Sequence, residues 1–406
     1  MSKLKRRSLL RLGALSGLAS GLSLGTGTSA AATGGLVVKD YVRLGRTEMK
    51  VSDVSFGTFP LQSGDEKVVH HAVDLGINYF DTAEGYGDGK SEETVGRALA
   101  GGLRQEVYIA TKIFTGAQTS AGGMMARLDA CLRRLQTDYV DVFFNHAVND
   151  LARLKNEEWQ RFSEQARTQG KVRYFGMSGH AGRLKECVEY AIDKDMFDVL
   201  LLATNFGDDP AFYERFTRAF DMVANQQGLQ KLMAEAKRKD MGIIAMKVLR
   251  GAKLNDMRPY ERQGLTYSQA ACRWILNNPN VDNLIITMRN RDEVEEYLGA
   301  SGSGEVTDAD MELLQRYAGM TDASYCRNVC NDCEGSCPYQ VPMPDILRMR
   351  MYATDYGDYA VARDEYAKLE TNAEACLSCD GAPCREACTF DIPLAELCGP
   401  THQLLS

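Results

Sequence analysis

From about residue 51 onward the chain repeats one unit eight times: a short β-rich run, then a stretch with helical periodicity. The runs read "DVSFGTF", "NYFDTA", "EVYIATKI", "DVFFNHA", "RYFGMSG", "DVLLLATN", "GIIAMKV" and "NLIITM". Between them lie amphipathic segments such as "DEKVVHHAVDLG" (residues 65–76) and "SEETVGRALAGG" (residues 91–102), the latter with Ser91 as its expected N-terminal cap. Runs rich in Val, Ile and Phe, buried on both faces and separated by helices, indicate a parallel sheet. Eight such pairs predict closure into a (β/α)8 TIM barrel. An open doubly wound sheet is the alternative, but no G-x-G-x-x-G turn follows the first run. A barrel of about 250 residues leaves room for one small additional domain in a chain of 406.

In such barrels the chemistry gathers at the C-terminal ends of the strands. Here those ends carry Asp81, Tyr86 just beyond it, Lys112 and His146. One of these alone would be structural or solvated; four titratable types at three successive strand ends form a candidate site. Tyrosine, with an ordinary pKa near 10, is a poor proton donor at neutral pH, and a nearby ammonium would stabilise its phenolate. Asp81 could hold Lys112 by an ion pair, and His146 could hydrogen-bond and orient a carbonyl oxygen. Such a tetrad would protonate a carbonyl as a hydride arrives at its carbon.

At these residues the sequence resembles the aldo/keto reductase family, over residues 41–320. The strongest segment, "GINYFDTAEGYGDGKSEETVGRAL", is close to the family's G-x-x-x-x-D-T-A-x-x-Y-G signature, while "IATKI" and "FFNHAV" fit its Lys and His segments. The resemblance implies catalytic roles for Asp81, Tyr86, Lys112 and His146, with NADPH or NADH extended across the barrel mouth. It also implies cofactor contacts from Gly57, Thr58 and Phe59 in "FGTF", from Ser178 in "GMSGH" and from Asn205 in "LATNF". The sequence departs from the family in four places. Gly179 stands where a carboxamide-binding Asn is expected, and Phe206 replaces a Gln. Met246 and Lys247 replace an aromatic residue. "ITMRNRDEVEEYL" lacks the P-K-S segment, where Arg289 or Arg291 could grip a phosphate instead.

Three of the 12 cysteines, Cys131, Cys187 and Cys272, lie in helical runs of the barrel region and read as small buried apolar residues. Eight others crowd into two bursts: Cys326, Cys330, Cys333 and Cys337, then Cys376, Cys379, Cys384 and Cys388. Spacings close to C-x2-C-x2-C-x3-C let three thiolates cap one cluster while the fourth reaches a neighbour, so the eight would serve two 4Fe–4S clusters. Zinc and disulfides are the alternatives. The segment resembles the ferredoxin-like extension that follows the barrel in one branch of the family. Cys398 is a spare. The Met and Tyr residues of "MPDILRMRMYATDYGDYAVARDEYAKLE", between the bursts, are expected to pack around the clusters.

The N-terminus is distinct. "KRRSLLRLG" precedes a short apolar run interrupted by Gly and Ser, and "SAAAT" offers a cleavage site near Ala32. Arg6 and Arg7 with the residues after them resemble a twin-arginine (Tat) signal, which delivers folded, cofactor-loaded proteins to the periplasm. The run is too short and glycine-rich for a transmembrane anchor. Cleavage would take Lys3, Lys5, Arg6, Arg7 and Arg11 and no acidic residue, making the net charge of −8 more negative by five. So acidic a chain excludes nucleic acid and anionic membranes as partners, and 44% hydrophobic residues exclude wholesale disorder. The expected organisation is a Tat signal peptide (1–32), a barrel (38–320) and a ferredoxin-like domain (321–406). The expected function is an exported oxidoreductase acting on a small carbonyl or alcohol substrate, passing electrons through its clusters to a redox partner protein. The alternative is a non-enzymatic electron-transfer or metal-binding module on a degenerate barrel.

Overall fold

The computed structural model describes residues 36–406 apart from 60, 181, 210–211, 213–226, 252–256, 303, 323 and 329. The expected signal segment, residues 1–32, lies outside the described residues.

Eight parallel strands close into a barrel: β3 (Val54–Gly57), β4 (Tyr79–Asp81), β5 (Tyr108–Ile113), β6 (Val140–Asn145), β7 (Val172–Gly179), β8 (Val199–Ala203), β9 (Gly242–Met246) and β10 (Asn283–Thr287), with β10 pairing back onto β3. Each lies inside one of the eight runs or within a residue of it. Every strand from β3 to β10 is buried for nearly its whole length, because helices cover the outside and side chains fill the inside. The outer layer holds an aromatic group in which Phe143 packs against Trp159, Phe162 and Phe175. The inner layer is built from Tyr79, Ala110, Val142, Phe144, Val199, Leu201, Ile244 and Ile285.

Two features depart from the sequence reading. An antiparallel hairpin, β1 (Tyr41–Arg43) with β2 (Lys50–Ser52), precedes the barrel and sends Leu44, Met49 and Val51 into the inner layer, stoppering the end away from the candidate site. Gly45 makes this fit possible: at φ 48° a Cβ would lie 2.1 Å from the Gly242 nitrogen. Ser91, the expected cap, sits inside the helix Lys90–Ala98, which is capped by Gly89 at φ 88°. Its hydroxyl is instead buried against those of Thr58 and Thr82, at 2.7 and 3.0 Å.

The expected boundary at residue 320 falls in the last turn of the helix Asp308–Thr321. Beyond it a second apolar core forms around Val341, Ile346, Leu347, Ile392 and Leu394, with Cys333 and Cys398 buried in it. Its elements are the helices Met343–Thr354, Tyr359–Ala367 and Leu394–Leu405 and several short turns. Barrel and extension belong to one compact unit, Leu36–Ser406. Buried Arg250 ties them by pairing with Asp322, which also binds Arg327 at 2.8 Å. No helix among the described residues is long and apolar enough to cross a membrane.

Candidate active site

The strand ends converge as the barrel geometry requires. Lys112, near the end of β5, points its ammonium at three oxygens: Asp81 Oδ2 at 2.6 Å, the Thr82 carbonyl at 2.7 Å and the Tyr86 hydroxyl at 3.3 Å. An ammonium has three N–H bonds, so this set uses all of them. Lys112 and Asp81 are each 1% exposed. The half-buried Tyr86 ring is flanked edge-on by Phe59 and by His146, with centroids 5.2 and 5.9 Å away. His146, first residue after β6, is held by its backbone: its N–H donates to Ile113 and its carbonyl accepts from Arg153.

The electrostatics refine the sequence expectation. Burial pushes the Tyr86 phenol above its ordinary pKa, Lys112 opposes this, and Asp81 adds to it. The net direction is upward, so Tyr86 stands as a neutral phenol with Lys112 already on its oxygen. Burial also raises Asp81, against the pull of Lys112. His146 is driven well below the usual imidazole range by burial, Lys112 and Arg153. At neutral pH it is therefore an uncharged donor, not a competing acid.

The expected cofactor residues divide. Gly57 packs where a Cβ would meet the Ile286–Thr287 backbone at 3.1 Å, and the Thr58 hydroxyl bonds inward to the Asp81 carbonyl and Ser91. Of that loop, Phe59 reaches the tetrad. Ser178 Oγ accepts from the Ala147 N–H at 3.0 Å and keeps its own hydrogen to donate. Gly179 lacks a side chain because Leu184 Cδ1 stands 2.3 Å from where its Cβ would be. Asn205 is fully buried and committed: its nitrogen donates to Asp208 and to Tyr325 from the extension, and its oxygen accepts from Gly207. Phe206 belongs to an aromatic cluster with Tyr267 and Tyr317. Arg289 is half exposed beside the Asn290-capped helix Arg291–Leu298 and pairs with Glu293.

All twelve cysteines are free. Cys326, Cys330 and Cys333 act electrostatically on one another and on Cys388 from the second burst, while Cys384 feels Cys376, Cys379 and Cys337 from the first. Cys388 thus lies within electrostatic reach of three thiols of the first burst, and Cys337 within reach of Cys384 in the second. Burial pushes Cys326 and Cys333 up to about 12 and Cys330 to about 11. Cys398 donates to the Cys376 sulfur and pulls that thiol down to about 7. Among the described residues no three His, Cys, Asp or Glu side chains converge on one metal ion.

Sequence reasoning missed what the extension brings to the barrel mouth. On the helix Met343–Thr354, Arg348 and Tyr352 lie one turn apart on one face. Arg348 donates to His180 Nδ1, just after β7, at 3.3 Å, and the Tyr352 hydroxyl accepts from Lys247, just after β9, at 2.9 Å. Tyr352 was expected to pack only around the clusters; instead it also returns an aromatic ring to the strand end where Lys247 stands.

A parallel eight-stranded barrel with Tyr86, Lys112, Asp81 and a neutral histidine gathered at its mouth defines a barrel oxidoreductase. Residues 55–262 match the aldo/keto reductase family, and the chain belongs to it. L-galactose dehydrogenase of Arabidopsis thaliana is 27% identical over 306 residues, covering 67% of this chain and 91% of that one. Methylglyoxal reductase of Escherichia coli is 28% identical over 215 residues, covering 52% and 69%. Two solved structures share the fold. An aldo-keto reductase of Bacillus halodurans in holo form has a TM-score of 0.55 at 18% identity, covering 68% of this chain and 95% of that one. One from Klebsiella pneumoniae in complex with NADPH has 0.54 at 22%, covering 69% and 95%. The chain is an oxidoreductase of this family.

The depression of His146 has an observable consequence. At pH 6 an ordinary imidazole is mostly protonated, whereas His146 should stay neutral in nitrogen-detected NMR spectra, its signal identified by loss in His146→Gln. A His146 resonance titrating near pH 6.5 would contradict the burial and charge environment described.

Proposed function

We propose that the protein interconverts a small carbonyl compound and its alcohol at Tyr86, with NADP or NAD as hydride carrier and two 4Fe–4S clusters in its extension. The observation that carries this reading is the buried Lys112 ammonium shared between Asp81 and the Tyr86 hydroxyl. A nicotinamide dinucleotide, when bound, supplies the hydride to the substrate carbon or takes it away. Tyr86 gives its proton to the carbonyl oxygen, completing the alcohol, or recovers it in the reverse direction. Lys112 stabilises the phenolate left behind, and Asp81 keeps Lys112 in place. The neutral His146 ring donates to the same oxygen and fixes its orientation.

The donor set suits the nucleotide at two places. The Ser178 hydroxyl can donate to a carboxamide, and Arg289 and Arg291 flank a helix N-terminus suited to phosphate. Asn205 does not serve, being committed to Asp208 and Tyr325. The Klebsiella relative's NADPH supports the same carrier.

The influence of Cys388 on the thiols of the first burst, and of Cys337 on Cys384, supports the clusters, which the eight free thiols would hold. Clusters, when bound, would carry single electrons, so exchange with a two-electron hydride carrier would need a flavin or a redox partner protein that splits the pair. The Arg6–Arg7 segment supports export of the loaded protein by the Tat translocase to the periplasm.

Three measurements test this reading. Tyr86→Phe removes one hydroxyl and should lower carbonyl turnover by about 10²–10⁴-fold while sparing nucleotide binding; equal turnover would exclude Tyr86 as proton donor. The protein purified anaerobically should be brown and contain about eight irons with matching labile sulfide, and Cys388→Ser should disturb the cluster of the first burst; a colourless zinc protein would overturn the assignment. Replacing Arg6 and Arg7 by Lys should trap the precursor in the cytoplasm, whereas unchanged export would remove the Tat reading.

A further inference from the structure

The mouth of the barrel holds more positive charge than the tetrad uses. Lys112 is balanced by Asp81 at 2.6 Å. Lys247, half-buried at the end of β9, touches only an uncharged partner, the Tyr352 hydroxyl, and forms no ion pair among the described residues. Arg348, whose side chain is 5% exposed, pairs loosely with Asp345 at 3.7 Å, beyond hydrogen-bond length, lies within electrostatic reach of the Cys326 thiol, and donates to a ring nitrogen of His180.

Both histidines between these cations are held neutral. Burial is the first cause for each, and Lys247 acts on both, which places its ammonium within electrostatic reach of His146 and His180 together. Tyr352, which holds Lys247, also lies within electrostatic reach of Tyr86. Both cations therefore meet the barrel mouth on its β7–β9 side, Lys247 from the end of β9 and Arg348 through His180 just after β7.

This arrangement is costly without an anion. A cation withdrawn from water needs a countercharge or it destabilises the site, and a chain with a net charge of −8 has abundant carboxylates that could have been placed there. Among the described residues the mouth instead gathers two cations, neither hydrogen-bonded to a carboxylate, one of them an Arg whose planar fork matches a carboxylate.

Resting on the carbonyl reading above, we propose that Lys247 and Arg348 form an anion subsite and that the substrate is a carbonyl or hydroxy compound bearing a carboxylate. The carboxylate lies across the Lys247 ammonium and Arg348 guanidinium while the reacting oxygen lies between Tyr86 and His146. Half of this specificity comes from the extension, so the C-terminal segment selects substrate as well as carrying the cysteines.

Binding tests this independently of turnover. With the full cluster-loaded protein, isothermal titration calorimetry would use succinate as an unreactive carboxylate, and rates would be compared for 4-oxobutanoate and butanal. Succinate should bind the wild type and Tyr86→Phe alike. It should bind about ten- to hundredfold more weakly to Arg348→Gln and to Lys247→Gln, the range for losing a charge-assisted hydrogen bond. Arg348→Lys should recover part of the affinity, and in all three variants kcat/KM should fall far more for 4-oxobutanoate than for butanal. Iron content and circular dichroism confirm that each variant is folded, and Lys247→Gln, on the barrel, stands in if Arg348→Gln loses its extension. Equal succinate affinity in wild type and both Gln variants overturns the subsite, as does tighter binding of inorganic phosphate than of succinate. Loss of turnover in Tyr86→Phe with succinate binding retained separates the subsite from the chemistry it serves.

Discussion

The structure of the site depends on one buried ammonium. Lys112 is inaccessible to water, and its three N–H bonds go to a carboxylate on β4, a carbonyl one residue beyond that strand and the phenol of the following turn. A charge in that position persists only with its partners in place; removing one partner of a buried pair costs about 3–5 kcal/mol. The same bonds that hold the charge therefore hold Tyr86 at a fixed position over the barrel. Catalytic geometry and local stability are one network here, with no separate scaffold beneath it.

Burial sets the chemistry of that network more strongly than charge does. The sequence suggested that Lys112 would push Tyr86 toward phenolate. In the fold, desolvation outweighs the ammonium and Asp81 offsets part of it, leaving a neutral phenol. This suits a proton donor better than the simpler expectation: the proton stays until charge develops on the substrate oxygen, and the stabilising cation is already in contact. His146 is subject to the same desolvation, with its pKa moved the opposite way and the same neutral outcome, because burial disfavours imidazolium as it disfavours phenolate.

Much of this was legible in the sequence, for physical reasons. Strands buried on both faces appear as unbroken apolar runs, so all eight barrel strands could be placed within a residue or two of their ends. Asp81, Tyr86, Lys112 and His146 were legible because each sits at a strand end with a local motif around it. The hairpin β1–β2 was not, since its strands, "YVR" and "KVS", break the apolar pattern with Arg, Lys and Ser. Nor were the contacts of Arg348 with His180, Tyr352 with Lys247 and Tyr325 with Asn205, which join positions 168, 105 and 120 residues apart. No short-range pattern encodes such meetings. The departures at 206 and 246–247 lie beside two of them: Tyr325 engages the neighbouring Asn205, and Tyr352 engages Lys247.

That last relation bears on the order in which the molecule is made. The eight strands and the tetrad are complete once residue 287 has been synthesised, yet the wall that carries Arg348 and Tyr352 lies some sixty residues later, within the cysteine-bearing segment. A nascent barrel thus has Tyr86, Lys112 and Asp81 in hand long before it has a finished mouth. On the proposed reading, a chain whose cysteine segment has not yet folded would hold the Tyr86 network while lacking the Arg348 and Tyr352 side of the mouth.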